Sequence, residues 1–310
     1  MALNLFSIPP STSFLDAIAS GWLARGGDPL TDAPMTDAPM TDAPTTNAPM
    51  ANAHGLILLP TRRSARSLAE AFLRASDGRP LLLPRIAALG GMDEVPLALT
   101  GAVDLPPAVE PMQRLAALTR LILAARGTSG APRTADRAWL LAGDLAALMD
   151  EAERAEIDLR RTLPDAVDSA HAAHWAETLK FLEIVTHAWP AWLADNGLMN
   201  PAARMVALLD AQARAWQDQP PDHPVLIAGT TAGIRAVARL LRVVASLPNG
   251  QVVLPALDTE MDEDTWVGLE PSHPQAGLAD LLAGLGATRG DVRLWPMGLR
   301  GSQSSAMEQA

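Results

Sequence analysis

The chain has no cysteine and no tyrosine, and aromatic residues fill only 4% of its 310 positions. Without cysteine, disulfides, thiolate catalysis, iron–sulfur clusters and Cys-based zinc sites are all excluded. Among 24 Lys+Arg there is a single lysine, Lys180. A Walker A loop needs Gly-Lys-Ser/Thr, because the lysine ammonium reaches the β- and γ-phosphates. Lys180 stands in a helical pattern, Glu177-Thr178-Leu179-Lys180-Phe181, with no glycine before it, so the chain carries no standard P-loop. Glu177 and Lys180 are three apart rather than two, and no strand pattern surrounds them, so a PD-(D/E)xK nuclease motif is not formed there. No apolar run reaches the ~18 residues of a membrane span. The first residues lack a basic region ahead of an apolar one, so no secretory signal is expected, and the cytoplasm is the expected compartment.

What the chain does have is a large apolar share, 48%, rich in alanine and leucine, enough for a sizeable core and many helices. The formal charge is −11, which argues against a wholly basic nucleic-acid protein. It leaves room for a local basic surface, because fields follow charge distribution as well as its sum. Such a surface is suggested between residues 55 and 85, where Arg62, Arg63, Arg66, Arg74, Arg79 and Arg85 face only Glu70 and Asp77.

The most informative stretch is GLILLPTRRSARSLAEAFL, residues 55–73. Its apolar run reads as a buried strand, which Pro60 ends. A polar, basic turn follows, and then a helical pattern with Ala65, Leu68, Ala69, Phe72 and Leu73 on one face. A strand entering a helix through a tight turn is half of an α/β crossover, and ligands of open parallel sheets gather at that carboxyl end. Arginines beside helix N–H groups suit a phosphate. Thr61, Arg62, Arg63 and Arg66 are therefore the leading site candidates. Two cations at a helix N-terminus oppose the helix dipole, an unfavourable placement that a bound anion would explain.

A second strand–turn–helix unit precedes it. Residues 3–8 read as a strand, Pro9-Pro10 as a break, Ser11, Thr12 or Ser13 as a cap, and 14–23 as a helix. The repeats TDAPM, TDAPM, TDAPT and TNAPM stand between the two units. Proline at every fifth position forbids helix and strand, and 27–54 is expected to be a disordered surface insertion. Residues 81–83 read as a short buried strand ended by Pro84-Arg85. Helical patterns follow at 111–125, 135–156 and 165–194, with Pro190 a kink or break. Asn200-Pro201 reads as an N-cap with proline at the first helical position, opening a helix to about Gln217. The sheet pattern then returns, with strands at 225–228, 251–254 and 292–295 and helices at 234–247 and 275–285. The expected plan is an α/β fold, a parallel sheet with flanking helices from 1–110 and 219–297. A helical subdomain from 111–218 is inserted, and 298–310 is a frayed tail.

A second candidate is the turn Gly229-Thr230-Thr231-Ala232-Gly233. Its hydroxyls and N–H groups could cradle an anion at Gly229, Thr230 and Thr231. The plain alternative is that Thr231 caps the next helix and the glycines permit the turn. Asp258, Glu260, Asp262, Glu263 and Asp264 form an acidic run, read as a solvated face rather than a metal site. His171 and His174 lack a third ligand at suitable spacing. Trp175, Trp189 and Trp192, at helical spacing, read as core of the helical insertion rather than as base-stacking platforms. No Ser/His/Asp grouping has a recognisable order.

In this order the motifs resemble one family. LNLFSIPPSTSFLDAIA (3–19), LILLPTRRSARSLAEAFL (56–73), LLLPRIAALGGMDE (81–94), HWAETLKFLEIVTHAWPAWLADNGLMNPAARM (174–205), VLIAGTTAGIRAVARLL (225–241) and VVLPALDTEMDEDTW (252–266) are similar to the N-terminal part of the AddB subunit of the alphaproteobacterial AddAB double-strand-break repair helicase–nuclease. The resemblance implies a superfamily 1 helicase-like core, a degenerate P-loop fold whose ATPase motifs have decayed. LLPTRRSARSL then stands where active relatives carry the motif Ia segment that touches single-stranded DNA. IPPSTSFLD stands where a P-loop would be, without its glycines or lysine. GTTAGI lies in the later core, without an acidic Walker B pair.

The implied partners are an AddA-type helicase–nuclease subunit, which supplies the motor, and DNA, either single-stranded or a duplex end. No cofactor and no membrane is implied. Family members continue through a second helicase-like region and a nuclease domain, and this sequence, expected to be a truncated form, carries no residue of that nuclease. The expectation is a non-catalytic DNA-binding module. Its rivals are an α/β enzyme binding a nucleotide or sugar phosphate at 229–233, and a scaffold that binds only a protein partner.

Overall fold

The computed structural model of the chain describes residues 3–25, 55–77, 80–89, 105–125, 134–165, 183–231 and 233–296. The repeats at 27–54, the tail at 298–310, and His171, His174, Trp175 and Lys180 lie outside the described residues. Along the chain the strands are β1 (Leu5–Ile8), β2 (Leu56–Leu59), β3 (Arg85–Ala88), β4 (Val225–Ala228), β5 (Gly250–Pro255) and β6 (Arg293–Leu294). The helices are α1 (Phe14–Arg25), α2 (Arg62–Ala75), α3 (Pro111–Ala124), α4 (Ala135–Arg154), α5 (Leu159–Asp165), α6 (Trp189–Asp195), α7 (Pro201–Asp218), α8 (Arg235–Ser246), α9 (Glu263–Val267) and α10 (Ala276–Leu285). The chain divides into two compact units: Met1–Thr100 with Gln212–Gly233 and Val237–Ala310, and Gly101–Ala211 with Ile234–Ala236.

The first unit is α/β. Its six strands form one sheet in the order β3-β2-β4-β5-β1-β6, and every pairing is parallel. Parallel strands are covered on both faces, so they read as continuous apolar runs rather than alternating ones. LFSI, LILL and VLIA, the strands β1, β2 and β4, are accordingly buried at every residue. Helices α1 and α2 pack together, joined at their polar edge by Arg74 and Asp16 at 2.6 Å. The Ser13 hydroxyl, at 2.6 Å, is the main cause holding the Asp16 carboxyl below its ordinary range; burial opposes it, and Arg74 adds to it. Phe6 meets Trp295 edge-on at 5.5 Å, and the Trp295 indole donates to the Ala17 carbonyl at 3.0 Å.

The third strand lies elsewhere than expected. Leu82 and Leu83 are 52% and 41% exposed, and the strand begins after Pro84, at Arg85. Pairing selects this register: Ile57 opposes Ile86 and Leu59 opposes Ala88, so β2 aligns with RIAA rather than LLL. As an edge strand whose first residue, Arg85, is exposed and whose buried end is two alanines, β3 lacks the full apolar run of its neighbours and is hidden from a search for such runs.

The second unit is helical, around Leu118, Ile122, Leu145, Met149, Ile184 and Trp189. Pro190 acts within the turn before it. Proline cannot donate to the carbonyl four residues back, and the chain widens into a π-turn at Ile184–Ala188, where the Trp189 N–H reaches back five residues to Ile184. Trp189 is buried and stacks on half-buried Trp192 at 5.0 Å. Asn200 does not cap α7 with its own side chain. Its amide accepts from the Trp189 indole at 3.0 Å and donates to Glu153 Oε1 at 2.6 Å, while Glu153 Oε2 accepts the Ala203 N–H at 3.1 Å. A carboxylate from α4 thus serves as the cap of α7.

Candidate functional site

Because all six strands are parallel, the turns that leave β1, β2, β4 and β5 share one edge of the sheet. Strands β2 and β4 are neighbours, with Leu58 opposite Ile227. The two candidate segments of the sequence, Thr61 to Arg66 after β2 and Gly229 to Thr231 after β4, are therefore brought side by side. That adjacency joins residues more than 160 positions apart and is a product of strand order alone.

Helix α2 begins at Arg62 with Thr61 as its N-cap. The Thr61 hydroxyl accepts the Ser64 N–H at 3.1 Å, and the Ser64 hydroxyl accepts the Thr61 N–H at 3.1 Å, a reciprocal capping box. Ser64 Oγ also donates to the Thr61 carbonyl at 2.7 Å, so the proton shared between the two hydroxyls, 3.0 Å apart, is the one on Thr61. Thr61 is thus a cap whose single O–H is directed to Ser64 Oγ, and it donates to an anion only by turning away from Ser64. No acid stands in the first turn of α2. Arg62, Arg63 and Arg66 are all exposed, and Arg63 and Arg66 have no hydrogen-bond or ion-pair partner among the described residues. At spacings of three and four on a helix these cations are neighbours and repel one another. The start of α2 therefore gathers positive charge, and that of Arg63 and Arg66 has no partner among the described residues.

The neighbouring turn is shaped by packing. Gly229 has φ +74°, a left-handed conformation that glycine adopts without strain, and its N–H donates to Val253 at 3.0 Å. A Cβ placed on it would lie 3.1 Å from the Phe14 ring, which fills the space over the turn. Thr231 is not the cap of α8, which begins four residues later at Arg235; it lies instead against Gly277 in the first turn of α10, 3.4 Å from where a Cβ would stand. The turn after β1 is closed as well. Pro9 and Pro10 have no N–H to offer, the Thr12 N–H donates to the Pro9 carbonyl at 3.1 Å, and the Ser13 hydroxyl is bound to Asp16. At this edge exposed cations stand at the start of α2, with Arg62, Arg63 and Arg66, and at the start of α8, with Arg235. Phe14, whose ring packs against the Gly229 turn, carried no signal in the sequence beyond opening a helical pattern.

The acidic run has structural work. Asp258 Oδ1 accepts the N–H groups of Glu260 and Met261, each at 2.9 Å, and Asp262 caps α9 through the Thr265 N–H at 2.8 Å. Arg289 ties the segment down, donating to Met261 and at 2.6 Å to Glu263, with its guanidinium 4.7 Å from the Trp266 ring centre. Among the described residues no helix is long and apolar enough to cross a membrane.

These observations define an α/β protein whose six-stranded parallel sheet and flanking helices are compatible with a Rossmann-like or P-loop-like fold. Comparison with models of known families and with curated proteins finds no match to the chain.

A test of the cap follows from its geometry. Thr61→Ala should cost about 1 kcal/mol, the usual value of an N-cap hydroxyl, and Thr61→Ser should restore most of it. Urea unfolding of the three proteins measures this. Equal stability of the alanine and wild-type chains would show that the capping box contributes nothing.

Proposed function

We propose that the chain is a non-catalytic, helicase-like module of an AddB-type double-strand-break repair subunit, in which the first turn of α2 contacts the phosphate backbone of DNA. Arg62, Arg63 and Arg66 are the cations of that contact, and Thr61 adds a hydroxyl. Contacts of this kind position a strand without reading its sequence. The observation that carries the reading is the juxtaposition at the carboxyl edge: Arg63 and Arg66, exposed and without a partner among the described residues, near a helix N-terminus, beside the Gly229 turn packed by Phe14 and the Pro9-Pro10 turn. An anion that lies along the surface fits this edge better than a nucleotide that must enter a crevice. The helicase-like ancestry and the AddA-type partner rest on the sequence resemblance.

The test is co-purification with an AddA-type subunit, with and without single-stranded DNA. The reading expects capture of the subunit in both conditions and DNA in the joint complex at low salt. Stabilisation of the chain by ATP or a sugar nucleotide in a thermal-shift screen, with no DNA retained, would replace the reading with that of a nucleotide-binding enzyme. Capture of the subunit with no affinity for DNA would leave a scaffold.

A further inference from the structure

The helical unit contains a cleft of about 380 Å³, between the C-terminal part of α4, the start of α5, α6 and the entry to α7. This lies in the size range of small-ligand sites, which are mostly apolar with a few fixed polar groups and form between helices of bundles. Met149, Ile157, Val185, Trp189 and Leu193 supply apolar wall, and Glu153 stands among them.

Glu153 is the polar group that gives the cleft a chemical preference. Its side chain is held in place by two neutral donors, the Asn200 amide at 2.6 Å on Oε1 and the Ala203 N–H at 3.1 Å on Oε2. A carboxylate has about four acceptor positions, so half remain. Glu153 has no ion pair to a described residue. The nearby Arg114 guanidinium is committed elsewhere, to Asp150 at 2.8 Å and to the Ala146 carbonyl at 3.1 Å. Burial, the dominant cause, pushes the Glu153 carboxyl above its ordinary value; the Asn200 amide and Arg114 oppose this, and Asp150 adds to it. A carboxylate in an apolar wall that has hydrogen-bond donors but no counter-ion is most stabilised by a cation that brings its own apolar body.

We infer that this cleft binds a small organic ammonium ion, its apolar part against Trp189 and Leu193 and its N–H groups on Glu153. A neutral molecule of the same shape fills the apolar wall and leaves the carboxylate without a counter-ion. An anion of that shape meets like charge at Glu153, and the exposed Arg160 on the cleft lining, beside the equally exposed Asp158, does not supply Glu153 with an ion pair.

The experiment titrates the full chain with phenethylamine, 2-phenylethanol and 3-phenylpropionate, read by isothermal calorimetry and ligand-observed NMR. Phenethylamine is expected to bind at least about tenfold more tightly than the alcohol, one charge-assisted hydrogen bond being worth that much or more, and the acid is expected not to bind. Glu153→Gln should remove the preference for the amine over the alcohol. Ala194→Trp, at an exposed position on the cleft rim, should block the amine and the alcohol and is a variant whose folding does not depend on Glu153. Equal affinities for amine and alcohol, unaltered amine binding in Ala194→Trp, or no binding of any probe would each overturn the inference.

Discussion

Changing Arg62, Arg63 and Arg66 together to alanine should weaken single-stranded DNA binding by about a hundredfold near 0.1 M salt and flatten its salt dependence. The size follows from counterion release. Each phosphate neutralised on a single strand contributes about 0.7 to the slope of log affinity against log salt, so three contacts contribute about 2. One decade below the 1 M reference, a slope of about 2 is a factor of about one hundred. Lysine at the same three positions keeps the charge and should keep most of the slope, while losing any bidentate geometry. Arg74→Ala is the internal control, because that side chain is held by Asp16 at 2.6 Å near the other end of α2.

The stability of the alanine variant gives a check of opposite sign. Three cations at the start of a helix oppose its dipole, so their removal should leave the fold as stable or slightly more stable. Lost DNA binding together with raised or equal Tm separates a broken contact from a broken fold. An unchanged slope would remove the first turn of α2 from the interface.

The sequence made parts of this site legible and hid others, for physical reasons. Strands β2, β4 and β5 announce themselves because a doubly covered parallel strand must be apolar at nearly every position. The arginines beside the cap were legible too, because helix starts have local signatures. Which turns become neighbours was not legible. Strand order is set by packing between distant segments, and the run GLILLP says nothing about VLIAGT lying beside it. The Phe14 ring over Gly229 is hidden for the same reason, since a first-turn aromatic reads as one more core residue. Glu153 also escaped notice: it closes an amphipathic helix rich in acids, and only the return of Asn200 and Ala203 reveals that it caps another helix.

The substitution of Gly250 should have the largest structural effect. By composition Asn249-Gly250 marks a turn into the strand that follows. In the structure Gly250 opens β5, opposite Val225, and is not among the glycines of positive φ. Its need is for space. A Cβ there would run into the Val244 carbonyl oxygen and lie 2.8 Å from Leu247 Cβ, at the C-terminal end of α8. Backbone at the end of a helix cannot rotate away as a side-chain tip can, and β5 is an interior strand between β4 and β1. Gly250→Ala must therefore separate α8 from the sheet or break the pairing, and should cost at least about 3 kcal/mol, the upper end for overpacking. For a domain of this size that is a fall in Tm of roughly 6–12 °C. Gly284→Ala supplies the contrast. It lies within α10 where a Cβ would meet nothing within 4 Å, and alanine should raise stability by about 0.4–1 kcal/mol through helix propensity and the unfolded state. Calorimetry of both variants should give shifts of opposite sign. A Gly250→Ala chain as stable as the wild type would show that the approach of α8 does not require glycine at the entrance to β5.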